Sequence, residues 1–174
     1  MSSPEEELLV TRRFRVVRRA ETGRDGREHS REIVVHPGAV TILPLFDDGR
    51  VCLIKNRRIA VGQTLIELPA GTLEPDEDPA VTAARELIEE TGYRAERVEK
   101  LCEFFMSPGI LNERMYVYIA RGLTPGEMAL EAGEQIEPLV VEWSDAVRMA
   151  TDGTIEDAKS LVAILLYEQR RQAK

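Results

Sequence analysis

Three glutamates crowd the end of a short predicted helix, and their spacing is the first thing that asks for a chemical explanation. Glu86, Glu89 and Glu90 fall in the last turns of a segment spanning 79–91. Asp78 is placed to cap its start, Pro79 suits the first helical position, and Gly92 stands where a left-handed residue would end it. Ala80, Ala84, Leu87, Ile88 and Thr91 recur at helical spacing as its apolar face. Glu86 and Glu90 lie one turn apart on the flank of that face, and Arg85 and Glu89 one turn apart further round. Acids at this end oppose the helix dipole, and like charges four residues apart repel, at about 0.3–1 kcal/mol for each such placement. A solvated acidic face tolerates that. A hard dication reverses it: Mg²⁺ takes oxygens from one or two carboxylates and completes its shell with water and substrate phosphate. On that reading Glu86 and Glu90 are metal ligands, and Arg85 pairs with Glu89 to hold the cluster from behind. Glu77, in the loop before the helix, is within reach of either task.

The pattern is longer than three acids. Gly71 is followed after five residues by Glu77 and after seven more by Arg85-Glu86-Leu87-Ile88-Glu89-Glu90-Thr91-Gly92-Tyr93. This resembles the Nudix box of the Nudix hydrolases; Tyr93 is the soft position, where the family more often has an aliphatic residue. The resemblance implies an α/β/α sandwich and Mg²⁺-dependent hydrolysis of a nucleoside diphosphate linked to a further group, with Mn²⁺ as a substitute cation. It also implies that the carbonyl of Ala70, just before the box glycine, joins Glu86 and Glu90 as a metal ligand. A glycine keeps that approach open.

The flanks narrow the resemblance to the ADP-ribose pyrophosphatase branch. Pro108 lies 16 positions after Gly92, in the run SPGILNE, and IKNRR and ELPAG precede the box. These features imply substrate contacts from Arg58, from the stiff turn Ser107-Pro108-Gly109 and from Glu113 at the end of that run. Glu67, an isolated acid before the metal loop, is a further candidate ligand or substrate contact. Arg85 and Glu89 join the catalytic set through the box. The general base in that branch comes from a loop acid. Glu134 matches a position that contacts a further metal in relatives, while the position two residues earlier, where some relatives carry the base, is Ala132. Glu134 is therefore assigned to contact metal or activate water, with Glu131 in reserve.

The expected reaction is ADP-ribose to AMP and ribose 5-phosphate, by a homodimer whose N-terminal strands cross to a second copy. One alternative is a hydrolase of another nucleotide sugar such as GDP-mannose. Another is a non-catalytic nucleotide-sugar-binding regulator, which the intact box acids and the lack of a basic recognition face after Trp143 argue against.

Composition sets outer limits. The chain has 174 residues, 43% of them hydrophobic and 31% charged, and a net charge of −8 from 23 basic and 31 acidic residues. That excludes a nucleic-acid surface as main partner, which needs a basic stripe. A nucleotide substrate stays open, because a bound cation supplies positive charge locally. No apolar run is long enough to span a membrane, and the acidic MSSPEEELLV lacks the order of a signal peptide. The cytoplasm is the expected compartment, with Cys52 and Cys102 as buried free thiols in strands.

The elements that must position the acids follow from pattern. Residues 1–9 read as a loose tail. Strands are expected at 11–20 and 31–36, joined by a hairpin signal at Gly23 and Asp25-Gly26. Their arginines read as solvated edge protection first, with contact to substrate phosphates as the alternative. Further strands are expected at 39–46, 51–55, 65–68, 98–106, 114–120 and 136–143, with a loop at 56–64. Ser144 is placed to cap a short helix ending near Gly153, and 157–170 reads as an amphipathic helix burying Ala158, Leu161, Ile164, Leu165 and Tyr167. The sum is an α/β sandwich with a mixed central sheet and an N-terminal antiparallel strand extension: residues 1–36 as extension, 37–174 as the catalytic domain.

Overall fold

The computed structural model describes residues 5–173. Three strands, β1 (Glu5–Val10), β2 (Arg15–Thr22) and β3 (Glu28–Val35), form an antiparallel sheet of their own in the order β1-β2-β3. The expected tail thus continues as a strand from Glu5; its first four residues lie outside the described ones. Charge explains the added strand. Glu5 and Glu6 sit opposite Arg19 and Arg18, and their carboxylates accept hydrogen bonds at 2.8 and 3.0 Å. Each exposed pair contributes about 0.2–1 kcal/mol, but a row of them fixes cross-strand register.

β4 (Ala39–Pro44), β7 (Ala70–Thr72), β8 (Tyr93–Phe105) and β9 (Arg114–Pro125) make a four-stranded sheet in the order β7-β4-β9-β8. β4 runs parallel to β9 and the other pairs are antiparallel, so the sheet is mixed. A second sheet joins β5 (Arg50–Arg58), β6 (Gln63–Glu67) and β10 (Ile136–Glu142) in the order β10-β5-β6. The loop expected at 56–64 shrinks to the tip of the β5–β6 hairpin, because Asn56, Arg57 and Arg58 pair with Leu65, Thr64 and Gln63.

Alternation along β4 and β9 divides the core. Val40, Ile42, Tyr118 and Ala120 face one way and pack on Ala83 and Leu87 of α1 (Pro79–Thr91). Leu43, Val117 and Ile119 face the other way, with side chains from α2 (Trp143–Thr151) and α3 (Ala158–Gln172). Helices on both faces of a mixed sheet are the sandwich the sequence pattern implies.

Two helix expectations need correction. α2 begins at Trp143 and is capped at Glu142, not Ser144. The reason is that Trp143 is drawn into the core, where its indole packs edge-on against Tyr167 and its Nε1–H donates to Glu168 at 2.6 Å. α3 buries Lys159, Ser160, Ala163 and Ile164, whereas Ala158 and Leu165 are exposed. Its first turn carries polar side chains inward to Glu67 and Leu68. Among the described residues no helix is long and apolar enough to cross a membrane.

Candidate active site

α1 has both expected caps. The Asp78 side chain accepts from the Ala80 N–H at 2.8 Å, and Gly92 adopts φ 75° while its N–H donates to the Ile88 carbonyl at 2.8 Å. Its buried face is rotated from the expected one: Thr82, Ala83, Leu87, Glu90 and Thr91 are buried, while Ala80, Ala84 and Ile88 are half-buried. The rotation matters, because it takes Glu90 into the interior with only 3% exposure and leaves Glu86 and Glu89 at the rim.

The loop before the helix is fitted to these acids. The Ala70 N–H donates to Glu90 Oε2 at 2.8 Å. A Cβ on Gly71 would stand 1.9 Å from the Glu86 carboxyl carbon, so only glycine lets that carboxylate lie over β7. Arg85 ties the rest. It donates to both oxygens of Glu77 at 3.2 Å, to Glu86 at 2.8 Å and to Glu89 at 2.8 Å. The expected Arg85–Glu89 pair is therefore part of a three-carboxylate fork, and the arginine holds Glu77 below the usual carboxylate range.

The electrostatics of Glu86 and Glu90 are unfavourable as they stand. Burial pushes Glu86 up to about 7, with Glu89 and Glu134 adding repulsion against the pull of Arg85. Burial pushes Glu90 up to about 8, reinforced by Glu86 and Glu134 and opposed by the Ala70 N–H. Among the described residues no three acid, imidazole or thiol side chains form a cation cage by themselves. Two desolvated, mutually repelling carboxylates on a cleft that Ala70 also lines still fit a hard dication that takes its remaining oxygens from water and phosphate.

A cleft of about 1240 Å³ opens on this cluster. Ala70, Arg85, Glu86, Glu89 and Glu90 line it, as do Arg58 from the β5–β6 hairpin and Glu131 and Glu134 from the loop before β10. Those two loop acids brace each other: the Glu131 N–H donates to Glu134 Oε2 at 2.9 Å, and the Glu134 N–H to the Glu131 carbonyl at 3.0 Å. Other expected residues lie away from the cleft wall. Glu67 is fully buried behind Arg58, with its oxygens bonded to Arg58 and Lys159. Ser107, Pro108, Gly109 and Glu113 belong to a turn docked on the end of β3. There the Val34 N–H donates to the Ile110 carbonyl at 2.8 Å, and Glu113 stands 3.6 Å from His36.

One feature of the site was only the second choice of the sequence reading, and another escaped it. Arg12, Arg13 and Phe14, in the turn between β1 and β2, line the cleft together with Arg15 at the start of β2, which also pairs with Glu7, whereas Arg18 and Arg19 pair with glutamates. Edge protection suits Arg18 and Arg19, while the cleft position of Arg12 and Arg13 fits the alternative of a phosphate-facing role; Phe14 beside them was not singled out, although an aromatic next to two arginines in a turn was the available signal. Lys159 is the other. A cation in the first turn of a helix opposes the dipole, the same anomaly that singled out the box acids.

An α/β sandwich presenting paired buried carboxylates from one helix to a large cleft is the class of protein defined so far. The NUDIX domain family matches residues 35–163, and the chain belongs to that family. Nudix hydrolases generally use divalent metal ions. The chain is 39% identical over 151 residues to an ADP-ribose pyrophosphatase of Bacillus subtilis, covering 86% of this chain and 81% of that protein. It is 37% identical to a methanol dehydrogenase activator of Bacillus methanolicus with the same coverage. A GDP-mannose pyrophosphatase of Cronobacter sakazakii is 35% identical, over 82% of this chain and 81% of its own length. Among solved structures, one described as an ADP compounds hydrolase superposes with a TM-score of 0.85 over 99% of this chain and 96% of that one. At 21% identity, that likeness is one of fold.

Proposed function

We propose that the chain hydrolyses the pyrophosphate of a nucleoside diphosphate sugar, with ADP-ribose as substrate and AMP and ribose 5-phosphate as products. The observation that carries the reading is that buried Glu90 and half-buried Glu86 line one cleft together with Ala70. The relative named ADP-ribose pyrophosphatase supports the choice of sugar nucleotide. The cleft exceeds the roughly 300–1,000 Å³ of common ligand pockets, which leaves room for an extended diphosphate.

Glu86, Glu90 and the Ala70 carbonyl would hold Mg²⁺, or Mn²⁺ in its place. When bound, the cation supplies charge against the phosphate oxygens and lowers the pKa of a coordinated water. Arg85 keeps Glu86 and Glu89 in place through its fork. Arg58 contacts the substrate from the hairpin. Glu134 accepts the proton as the water oxygen adds to phosphorus and the bridging P–O bond breaks, with Glu131 bracing its loop.

The protein acts as a homodimer in the cytoplasm. Leu8, Leu9 and Val10 leave β1 with an exposed apolar stretch suited to a second copy. Burial pushes the Cys52 thiol up to about 12, which suits an unreactive thiol in a reducing compartment. Each adenine sits near the interface between copies. Sedimentation showing only monomer at full activity would remove this part of the reading.

The test of substrate is a panel of nucleotide sugars at saturating Mg²⁺, with products separated by chromatography. ADP-ribose should give the highest kcat/KM and release AMP. Equal or greater turnover of GDP-mannose, the alternative favoured by the Cronobacter relative, would overturn the choice.

A further inference from the structure

We propose that Lys159 is a positioning residue for substrate binding, acting through the buried Glu67 to fix Arg58 at the cleft wall. The inference rests on the reading of the cleft as a diphosphate site.

Glu67 has no exposed surface, and its two oxygens take three donors. Arg58 Nε donates to Oε1 at 2.8 Å and its terminal nitrogen to Oε2 at 2.6 Å, while Lys159 Nζ donates to Oε2 at 2.7 Å. Lys159 is 6% exposed and also donates to Asp157 Oδ1 at 2.8 Å. Two cations and two carboxylates thus run in a line from the cleft to the first turn of α3.

Stability gives little reason for this line. An apolar cluster of the same shape is often as stable as a buried ion pair, or more so. A lysine in the first turn of α3 also opposes the helix dipole. What the line does is immobilise a guanidinium. Two of Arg58's N–H groups are spent on Glu67, and the others remain on a side chain that lines the cleft and is 39% exposed. Those are the donors that meet substrate oxygens, and their direction is set by the plane of the Glu67 carboxylate.

Lys159 sets that plane, because it shares Oε2 with Arg58. Without it, carboxylate and guanidinium are free to rotate together. The backbone does not follow, because the neighbouring Ser160 Oγ accepts the Leu68 N–H at 2.7 Å, and Ser160 keeps its own bonds to the Asp157 carboxylate when Lys159 is lost. The Ala70 N–H is likewise held by Glu90. Loss of Lys159 therefore disturbs Arg58 and spares the box acids, so it raises KM far more than it lowers kcat.

The experiment compares the wild type with Lys159→Met, with Glu67→Gln/Lys159→Met, and with Arg58→Met alone and combined with Lys159→Met. The Glu67→Gln/Lys159→Met variant removes one buried charge of each sign and keeps the site neutral, so it reports on position even if Lys159→Met folds poorly. KM and kcat for ADP-ribose are measured with the Kd of inorganic pyrophosphate and the melting temperature. We expect Lys159→Met and Glu67→Gln/Lys159→Met each to raise KM and pyrophosphate Kd at least about tenfold with kcat within about threefold. In the Arg58→Met background, Lys159→Met should add less than about twofold, because the residue it positions is gone. A pyrophosphate Kd unchanged in both Lys159 variants, or a full additional loss in the Arg58→Met background, overturns the inference. Absence of ADP-ribose turnover in the wild type with pyrophosphate binding still weakened by Lys159→Met sinks the substrate assignment and leaves the positioning role standing. A wild type that does not bind pyrophosphate overturns both.

Discussion

Replacing Glu90 by glutamine separates a metal ligand from a structural carboxylate, because the two roles predict changes of opposite sign. Glu90 is almost fully buried, and its acceptance of the Ala70 N–H is its one hydrogen bond to the loop. Glutamine keeps an oxygen for that bond and removes the charge. Burial raises Glu90 from an ordinary 4.5 to about 8. At roughly 1.4 kcal/mol per pH unit, ionised Glu90 destabilises the cation-free protein by roughly 3–5 kcal/mol at pH 8. Glu90→Gln should therefore raise the melting temperature in chelator at pH 8 by roughly 6–20 °C, at about 2–4 °C per kcal/mol for a chain of this size, and change it little at pH 5. Turnover of ADP-ribose at saturating Mg²⁺ should fall at least about a hundredfold, the scale of losing one charge-stabilising group. The assays are thermal melts at the two pH values and AMP release by chromatography. A variant less stable at pH 8, or one retaining activity within about threefold, would refute the reasoning.

The remaining predictions are briefer. In chelator, the wild type should lose stability as pH rises from about 5 to about 8. Glu86 and Glu90 have folded-state pKa values raised to about 7 and about 8, so the folded state binds more protons than the unfolded chain across that window. Their destabilisation is absent below about 4.5 and full above about 8, and excess Mg²⁺ should remove the decline; a flat profile in chelator would contradict the electrostatics. Gly71→Ala should lower kcat/KM at least about tenfold with little change in melting temperature. The added methyl would displace the Glu86 carboxylate, whose flexible side chain can move aside without unfolding the protein, so wild-type activity would show that Glu86 need not lie over β7. Pro108→Ala should shift the preference between ADP-ribose and GDP-mannose more than it changes kcat. The turn does not line the cleft of its own chain, so unchanged preference would remove it from the site.

How much of this was legible in the sequence depended on whether local rules and tertiary contacts agreed. The box helix was readable to its ends because Asp78, Pro79 and Gly92 act within one turn of themselves. Its buried face was misjudged by part of a turn. Apolar periodicity pointed to Ala80, Ala84 and Ile88, and no periodicity rule would bury Glu90, whose partner is a backbone N–H twenty residues earlier. β1 was missed because three consecutive glutamates look like a solvated tail until arginines on another strand are set opposite them. The β5–β6 hairpin was cut short because Arg57 and Arg58 resemble loop residues, although ladder pairing continues through both. The Nudix pattern brought Glu86, Glu89, Glu90, Ala70 and Arg58 to attention, and the structure sets all five around one cleft. The contribution of Arg12, Arg13 and Phe14 depends on how the N-terminal sheet packs, and that of Lys159 on a contact spanning 92 residues.

The most direct measurement is an anomalous difference map from a crystal soaked in Mn²⁺, paired with turnover in the presence and absence of a chelator. The account predicts a peak within coordination distance of Glu86, Glu90 and the Ala70 carbonyl, and loss of hydrolysis in chelator that Mg²⁺ restores. A map without density at that corner, from protein that still turns over substrate in chelator, would contradict it.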